Sequence, residues 1–126
     1  MKKITGRNGQ EGFTLIEVIA VLIILAVLAA VAIPRYMDLV DDARDQALNG
    51  AVAAGLSHVS LAYGQAALSL GREPTIAEVQ AAADANHPES EDYSFAFVAG
   101  GNGITVTATE LNQTPAKSAS KDWAMP

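Results

Sequence analysis

A single carboxylate, Glu17, lies where a charged side chain is costly. Between Phe13 and Ile33 it is the only charged residue, and Thr14 is the only other polar one. An acid at the centre of a membrane helix costs on the order of 2.5–3.5 kcal/mol, and somewhat less near the membrane interface. An ionisable group in such a segment is by default a candidate functional residue, so a partner of opposite charge is expected for it.

The apolar segment that contains Glu17 is long enough to cross a bilayer. As a helix, residues 13–33 would span roughly 30 Å, which is the thickness of the hydrocarbon layer. Positive charge before such a segment keeps the N-terminus in the cytoplasm, so everything after Pro34 is predicted to lie on the far side. The cations concerned are Lys2, Lys3 and Arg7.

Two common explanations of such a segment leave Glu17 without a role. One is a secretory signal peptide, for which Ala30-Val31-Ala32 supplies a small-x-small cleavage site. The other is a plain membrane anchor. Neither provides a partner for the carboxylate.

A third explanation assigns the carboxylate a role. The stretch Gly12-Phe13-Thr14-Leu15-Ile16-Glu17 resembles the processing motif of type IV prepilins and pseudopilins, and Pro34 falls at the family spacing. The resemblance implies that a membrane aspartyl peptidase cuts between Gly12 and Phe13 and methylates the new amino group of Phe13. Residues 1–12 are then a cleaved leader. Residues 13–34 stay attached as the transmembrane and filament-core half of a helix.

The same resemblance implies how subunits assemble. Glu17 of an incoming subunit pairs with the α-amine of Phe13 on a neighbour, and each charge offsets the cost of the other in lipid. Pro34 removes the hydrogen bond to the carbonyl of Ala30, which predicts a kink at the membrane exit. Local melting of the helix inside a filament is the alternative that the family suggests. Phe13, Glu17 and Pro34 are therefore the candidate assembly residues.

The region after Pro34 has a helical pattern. Apolar residues recur at spacings of three and four as far as Leu70, and Gly71 is a candidate C-cap. Arg44 follows Asp41 by three residues, which favours a solvated helix face, with ion pairs between subunits as the alternative. The predicted buried stripe consists of Leu48, Val52, Leu56, Val59, Tyr63, Ala66 and Leu70.

Three further elements are predicted after the long helix. Thr75 and Glu78 form a capping-box pattern for a second helix that runs to about Ala83. Residues 93–98 and 104–110 read as two strands joined by a glycine-rich turn. The segment after Asn112 is predicted to be a loop, with Trp123 either pinning it to the body or lying in an ordinary surface pocket.

These elements predict an α+β fold shaped like a lollipop, in which a long N-terminal helix packs on a small antiparallel sheet. The extracytoplasmic head would comprise residues 35–126, including the amphipathic half of the helix to about residue 70. Many type IV pilins close their C-terminal region with a disulfide, and this chain has no cysteine. Its C-terminal loop must therefore be held by packing, by neighbouring subunits or by a metal ion. The stretches 32–39 and 41–44 resemble mannose-sensitive-haemagglutinin-type pilins.

Charge and motifs argue against several other functions. The formal net charge is −6, and loss of residues 1–12 removes three cations and one anion, which leaves −8. Such a surface is unsuited to direct binding of nucleic acid. His58 and His87 are interpreted as structural residues, and no cofactor, metal site or enzymatic activity is expected. An acidic turn is preferred to a calcium site at Glu89, Glu91 and Asp92.

The leading hypothesis is a structural subunit, the major pilin of a type IV pilus that serves adhesion, surface motility or uptake. Its expected partners are further copies of itself, the prepilin peptidase and methyltransferase, and an inner-membrane assembly platform. It would reside in the inner membrane as a precursor and then in an extracellular pilus. The major pseudopilin of a type II secretion system, in a periplasmic pseudopilus, is the first alternative. A membrane-anchored binding protein that never polymerises is the second, and it predicts that Glu17→Ala leaves function intact.

Overall fold

The computed structural model describes residues 12–126. The cations of the predicted leader, which fall within residues 1–11, lie outside the described residues. Helix α1 covers Leu15–Leu70 and helix α2 covers Ile76–Ala85. The strands are β1 (Tyr93–Gly100), β2 (Gly103–Glu110) and β3 (Ser118–Ala124). The predicted α+β class, with a long N-terminal helix and a small antiparallel sheet, is confirmed.

The chain divides into two compact units. We call the described part of the first, residues 12–40, the N-terminal unit, and the second, Asp41–Pro126, the C-terminal unit. In the N-terminal unit α1 continues through Pro34. Its most apolar 18-residue window has a mean hydropathy of 3.1 and none of that window is buried, so by length and composition the helix could cross a membrane.

The C-terminal unit contains one antiparallel sheet in the order β1-β2-β3. Strands β1 and β2 pair from Tyr93 with Glu110 to Gly100 with Gly103, so the predicted hairpin is confirmed. Gly101 in its turn has a φ of +54°, a conformation that glycine adopts without strain. On β2 the residues that face the core alternate with threonines, as predicted, and they are Ile104, Val106 and Ala108.

The predicted loop after Asn112 is wrong in part, because residues 118–124 form β3. Their side chains show no apolar alternation, and the strand instead exists because its backbone pairs with β2. Trp123 pins the strand to α1. Its indole N–H donates to Ser60 Oγ at 2.9 Å, and its ring centroid lies 5.8 Å from that of Tyr63.

The buried face of α1 differs from the predicted stripe. Leu70 is 43% exposed, so its assignment to the core is wrong, whereas Leu48, Val52, Val59 and Ala66 are buried as predicted. The pattern missed small residues on the same face. A Cβ added at Gly55 would lie 2.5 Å from Val106 Cγ1, so the glycine permits close contact between helix and sheet. The missed residues are Ala51, Gly55 and Ala62.

Helix α2 begins as its sequence predicts. Thr75 and Glu78 form the reciprocal capping box, and Gly71, with a φ of +65°, follows the end of α1. His58 Nε2 lies 3.0 Å from the carbonyl oxygen of Ala83 and thus joins the two helices, which agrees with its interpretation as a structural residue.

Candidate functional site: the processing motif and the polar cluster of the C-terminal unit

The predicted processing bond lies just before α1. Gly12 and Phe13 precede the first helical residue, Leu15. Phe13 is 85% exposed, and among the described residues no atom beyond the chain neighbours lies within 4 Å of a Cβ built on Gly12. Residues 12–14 are exposed and lie outside the helix, and proteolysis concentrates at exposed backbone of this kind.

Glu17 has a partner in its own chain that the sequence analysis did not identify. The backbone N–H of Thr14 donates to Glu17 Oε2 at 2.7 Å, and the backbone N–H of Glu17 donates to Thr14 Oγ1 at 3.2 Å. These bonds form a capping box at the start of α1, and the Thr-x-x-Glu spacing was the signal that could have revealed it. Among the described residues nothing donates to the other carboxylate oxygen, Oε1.

The candidate assembly residues fall into two places. Phe13 and Glu17 lie together at the first turn of α1, where the partial positive charge of the helix dipole favours a carboxylate. Pro34 lies 17 residues further along the helix, a distance of about 25 Å. It therefore cannot contact the first turn of its own helix.

A polar cluster in the C-terminal unit connects α1 with the end of β2. Arg44 Nε donates to Glu110 Oε1 at 3.0 Å, and Arg44 Nη2 donates to Glu110 Oε2. The same nitrogen donates to the carbonyl oxygen of Pro115 at 2.9 Å. The Glu110 side chain is 5% exposed and that of Arg44 is 20% exposed, so most of this ion pair is out of contact with solvent.

Lys117 completes the cluster from the far side of the loop. Its backbone N–H donates to Glu110 Oε2, and its ammonium donates to Asp45 Oδ1, both at 2.9 Å. The hydrogen bonds from Arg44, and secondarily the backbone N–H of Lys117, lower the pKa of Glu110 against the opposing effect of burial. Glu110 therefore remains ionised at neutral pH, and its contacts hold residues 111–117 against α1.

This cluster corrects one sequence interpretation and answers an open question. Arg44 was assigned to a solvated face beside Asp41. Its Nη1 lies 3.8 Å from Asp41 Oδ1, and its principal partner is Glu110. Glu110 is 66 residues distant in the chain, so no helical spacing could reveal the pair. The C-terminal loop, which has no disulfide, is held by hydrogen bonds and ion pairs.

Comparisons with known proteins agree with the processing motif. Residues 7–33 match the family model of the prokaryotic N-terminal methylation motif. The chain is 37% identical over 71 residues to a type IV major alpha-pilin of Moraxella bovis. That match covers 56% of this chain and 42% of the relative, so the chain spans less than half of the relative's length. No solved structure matches. The two matches support the assignment to the type IV pilin family that the sequence predicted.

Proposed function

From the type IV pilin assignment, we propose that this chain is the major subunit of a type IV pilus and that it polymerises through α1 after removal of residues 1–12. One observation carries the proposal. The methylation motif, matched over residues 7–33, extends into an apolar helix whose most apolar window is not buried among the described residues. Such a surface requires lipid before assembly and copies of the same helix afterwards.

The Glu17 carboxylate supports a link between processing and assembly. Its Oε2 caps α1 through Thr14, while Oε1 accepts no bond from residues 12–126. Cleavage after Gly12 creates a cationic amine on Phe13. In our proposal the second oxygen of Glu17 pairs with that amine on a neighbouring copy, because each charge alone is unfavourable in lipid.

The outer face of α1 in the C-terminal unit also favours contact with further copies. Residues 46–70 contain no Asp, Glu, Lys or Arg, and Leu61 and Leu68 are 58% and 86% exposed. Among the described residues, no atom outside the adjacent helix backbone lies within 4 Å of a Cβ built on Gly50 or Gly64. Each glycine costs the helix about 1 kcal/mol relative to alanine and serves no close contact within residues 12–126. Close approach of a second copy of the helix would explain the presence of both glycines.

The proposed partners follow from the same segment. A membrane peptidase and methyltransferase would process the bond between Gly12 and Phe13, and an inner-membrane platform would extract the subunit from lipid. We place the precursor in the inner membrane and the mature chain in an extracellular filament. The role is structural, and adhesion, surface motility and uptake are the activities that the filament would serve.

The test is to identify the N-terminus and the location of the mature chain in the cells that produce it. Filaments are sheared from the surface, and the chain is analysed by mass spectrometry. We expect a chain that starts at N-methylated Phe13 in the sheared fraction. A chain that starts after Ala32 would show an ordinary secretory signal and would refute the proposal. The processed chain found only in the inner membrane would point instead to a type II secretion pseudopilin.

A further inference from the structure

Strand β1 is an edge of the sheet that is covered only in part. It lies at one end of the order β1-β2-β3, and its eight residues include no charged side chain. The other edge, β3, carries Lys121 opposite the buried Val106, so this lysine is on the face of the sheet that packs on α1. A charge directed inward is a common device against edge-to-edge pairing. Strand β1 has no such device.

Part of the β1 edge is occupied by a side chain that imitates a neighbouring strand. Gln80 Nε2 donates to the carbonyl oxygen of Phe97 at 2.9 Å. The backbone N–H of Ala99 donates to Gln80 Oε1 at 3.2 Å. One amide therefore satisfies a backbone acceptor and a backbone donor on the outer edge, as a paired strand would.

The rest of the edge remains open. In an antiparallel strand alternate residues direct their backbone groups to the same side, so Tyr93 and Phe95 share the outward direction of Phe97 and Ala99. The Tyr93 N–H lies 3.3 Å from Ser90 Oγ, which acts as its acceptor. Within residues 12–126, no hydrogen bond is made by the Tyr93 carbonyl, by either group of Phe95 or by the Phe97 N–H.

A groove with an acidic rim borders this open segment. It has a volume of about 600 Å³ and lies between the residues that follow α2 and the start of β1, with Phe95 and Leu111 among its lining residues. Glu89 and Glu91 line it as well. Neither carboxylate has a salt-bridge partner in the described part of the chain, so the rim has uncompensated negative charge.

We propose that the open edge of β1 binds an extended, cationic peptide segment of a partner protein as an added strand. The backbone groups of Phe95 provide the two hydrogen bonds of one antiparallel residue pair, and Phe97 N–H and Tyr93 C=O continue the ladder. Lysine or arginine side chains of the segment pair with Glu89 and Glu91. Gln80 ends the binding site, because beyond Phe97 it already satisfies the edge.

The binding test uses the mature chain, labelled with nitrogen-15, in detergent micelles. The probe is the peptide acetyl-Lys-Val-Lys-Val-Lys-amide. We expect saturable chemical-shift changes at the backbone amides of Phe95 and Phe97. A peptide with glutamate in place of lysine, and the lysine peptide N-methylated at every residue, should both fail to bind. Equal binding of either control peptide, or shift changes confined to another surface, would overturn the proposal.

Two variants test which carboxylates attract the peptide and where its binding site ends. Glu89→Gln with Glu91→Gln should weaken peptide binding about tenfold, because two partly exposed ion pairs are lost. The matched control, Glu73→Gln with Asp84→Asn, removes the same charge from exposed positions outside the groove and should change binding little. Gln80→Ala should extend the peptide-induced shift changes to Ala99.

A further experiment distinguishes a partner protein from a second copy of this chain at the edge of β1. Dilution of the labelled chain without peptide should leave the Phe95 and Phe97 amides unchanged. Concentration-dependent shifts at those amides would show that a copy occupies the edge and would overturn the assignment to a partner protein. Because the measurement is made on dispersed chains, it does not depend on whether the filament proposal is correct.

Discussion

Helix α1 passes through both compact units, and its surroundings differ between them. In the N-terminal unit its apolar side chains are not buried among the described residues, with Leu25 and Ile33, for example, 54% and 59% exposed. In the C-terminal unit one face of the helix is covered by the sheet, with Leu48 and Val59 at most 2% exposed. The hydrophobic effect favours burial of apolar surface in both units, but among the described residues only the C-terminal unit covers a face of its helix. Four experiments test this contrast.

The largest effect is expected from Glu17→Gln. Glutamine can keep the capping box with Thr14 but has no charge to offer a neighbour's amine. With a cost of about 2.5–3.5 kcal/mol for an unpaired charge in the membrane, we expect about a hundredfold fewer sheared filaments. The fold of the C-terminal unit should be unchanged. Filament yield is measured by quantitative mass spectrometry of the sheared fraction.

The control for this variant is Asp42→Asn, which removes a charge from the exposed side of α1 in the C-terminal unit. Asp42 has no salt bridge in the described part of the chain, so filament yield should stay near that of the unmodified chain. Normal yield from Glu17→Gln would contradict the charge-pairing model, because filaments would then form without the Glu17 charge.

The next effect concerns the polar cluster. Arg44→Met leaves the buried Glu110 carboxylate without its principal partner, so the Tm of the mature chain in micelles should fall sharply. Arg72→Met breaks the more exposed pair with Glu78 and should lower the Tm less. The double variant Arg44→Met with Glu110→Leu should recover part of the loss, because it removes both buried charges. A Tm for Arg44→Met equal to that for Arg72→Met would show that the cluster does not secure the loop.

A smaller effect is expected from alanine substitutions of two glycines in α1, which should change the stability of the chain in opposite directions. Gly55→Ala places a methyl group against Val106, and overpacking of this kind costs about 1–3 kcal/mol, less the gain of about 1 kcal/mol in helix propensity. The methyl group of Gly64→Ala would contact nothing in residues 12–126 beyond its own helix backbone, so this variant should stabilise the dispersed chain by up to about 1 kcal/mol. Chemical denaturation in micelles measures both. If Gly64 faces another copy, the same variant should reduce filament yield while it raises stability.

The smallest effect is a dependence of stability on pH. Hydrogen bonds from Arg72, and then from the Thr75 backbone, lower the pKa of Glu78 from 4.5 to about 2. A carboxyl group whose pKa is lower in the folded chain stabilises it above the unfolded pKa, and this contribution is lost as the pH falls through the folded value. The Tm should therefore decrease from pH 4.5 to pH 2. In Glu78→Gln the decrease should be shallower, whereas Glu73→Gln should retain it.

The elements with local signals were predictable. The length of α1, the capping box of α2 and the hairpin all rest on contacts within a few residues of sequence, so composition and spacing suffice to identify them. The processing motif is likewise a contiguous stretch, from Gly12 to Glu17. By contrast, β3 has no alternating pattern, and its formation depends on the backbone of a strand that precedes it.

Three features of this chain are specified by neighbouring residues and could be recognised without a structure: a methylation motif, an apolar segment with one carboxylate and a small α+β unit. Which charges and small residues matter in that unit depends instead on how the helix packs on the sheet. The tertiary structure brought Arg44 to Glu110, placed Gly55 under Val106 and left Phe95 at an open edge beside acidic residues. These relations join residues far apart in the chain, and the packing of helix on sheet, rather than any spacing, brings them together.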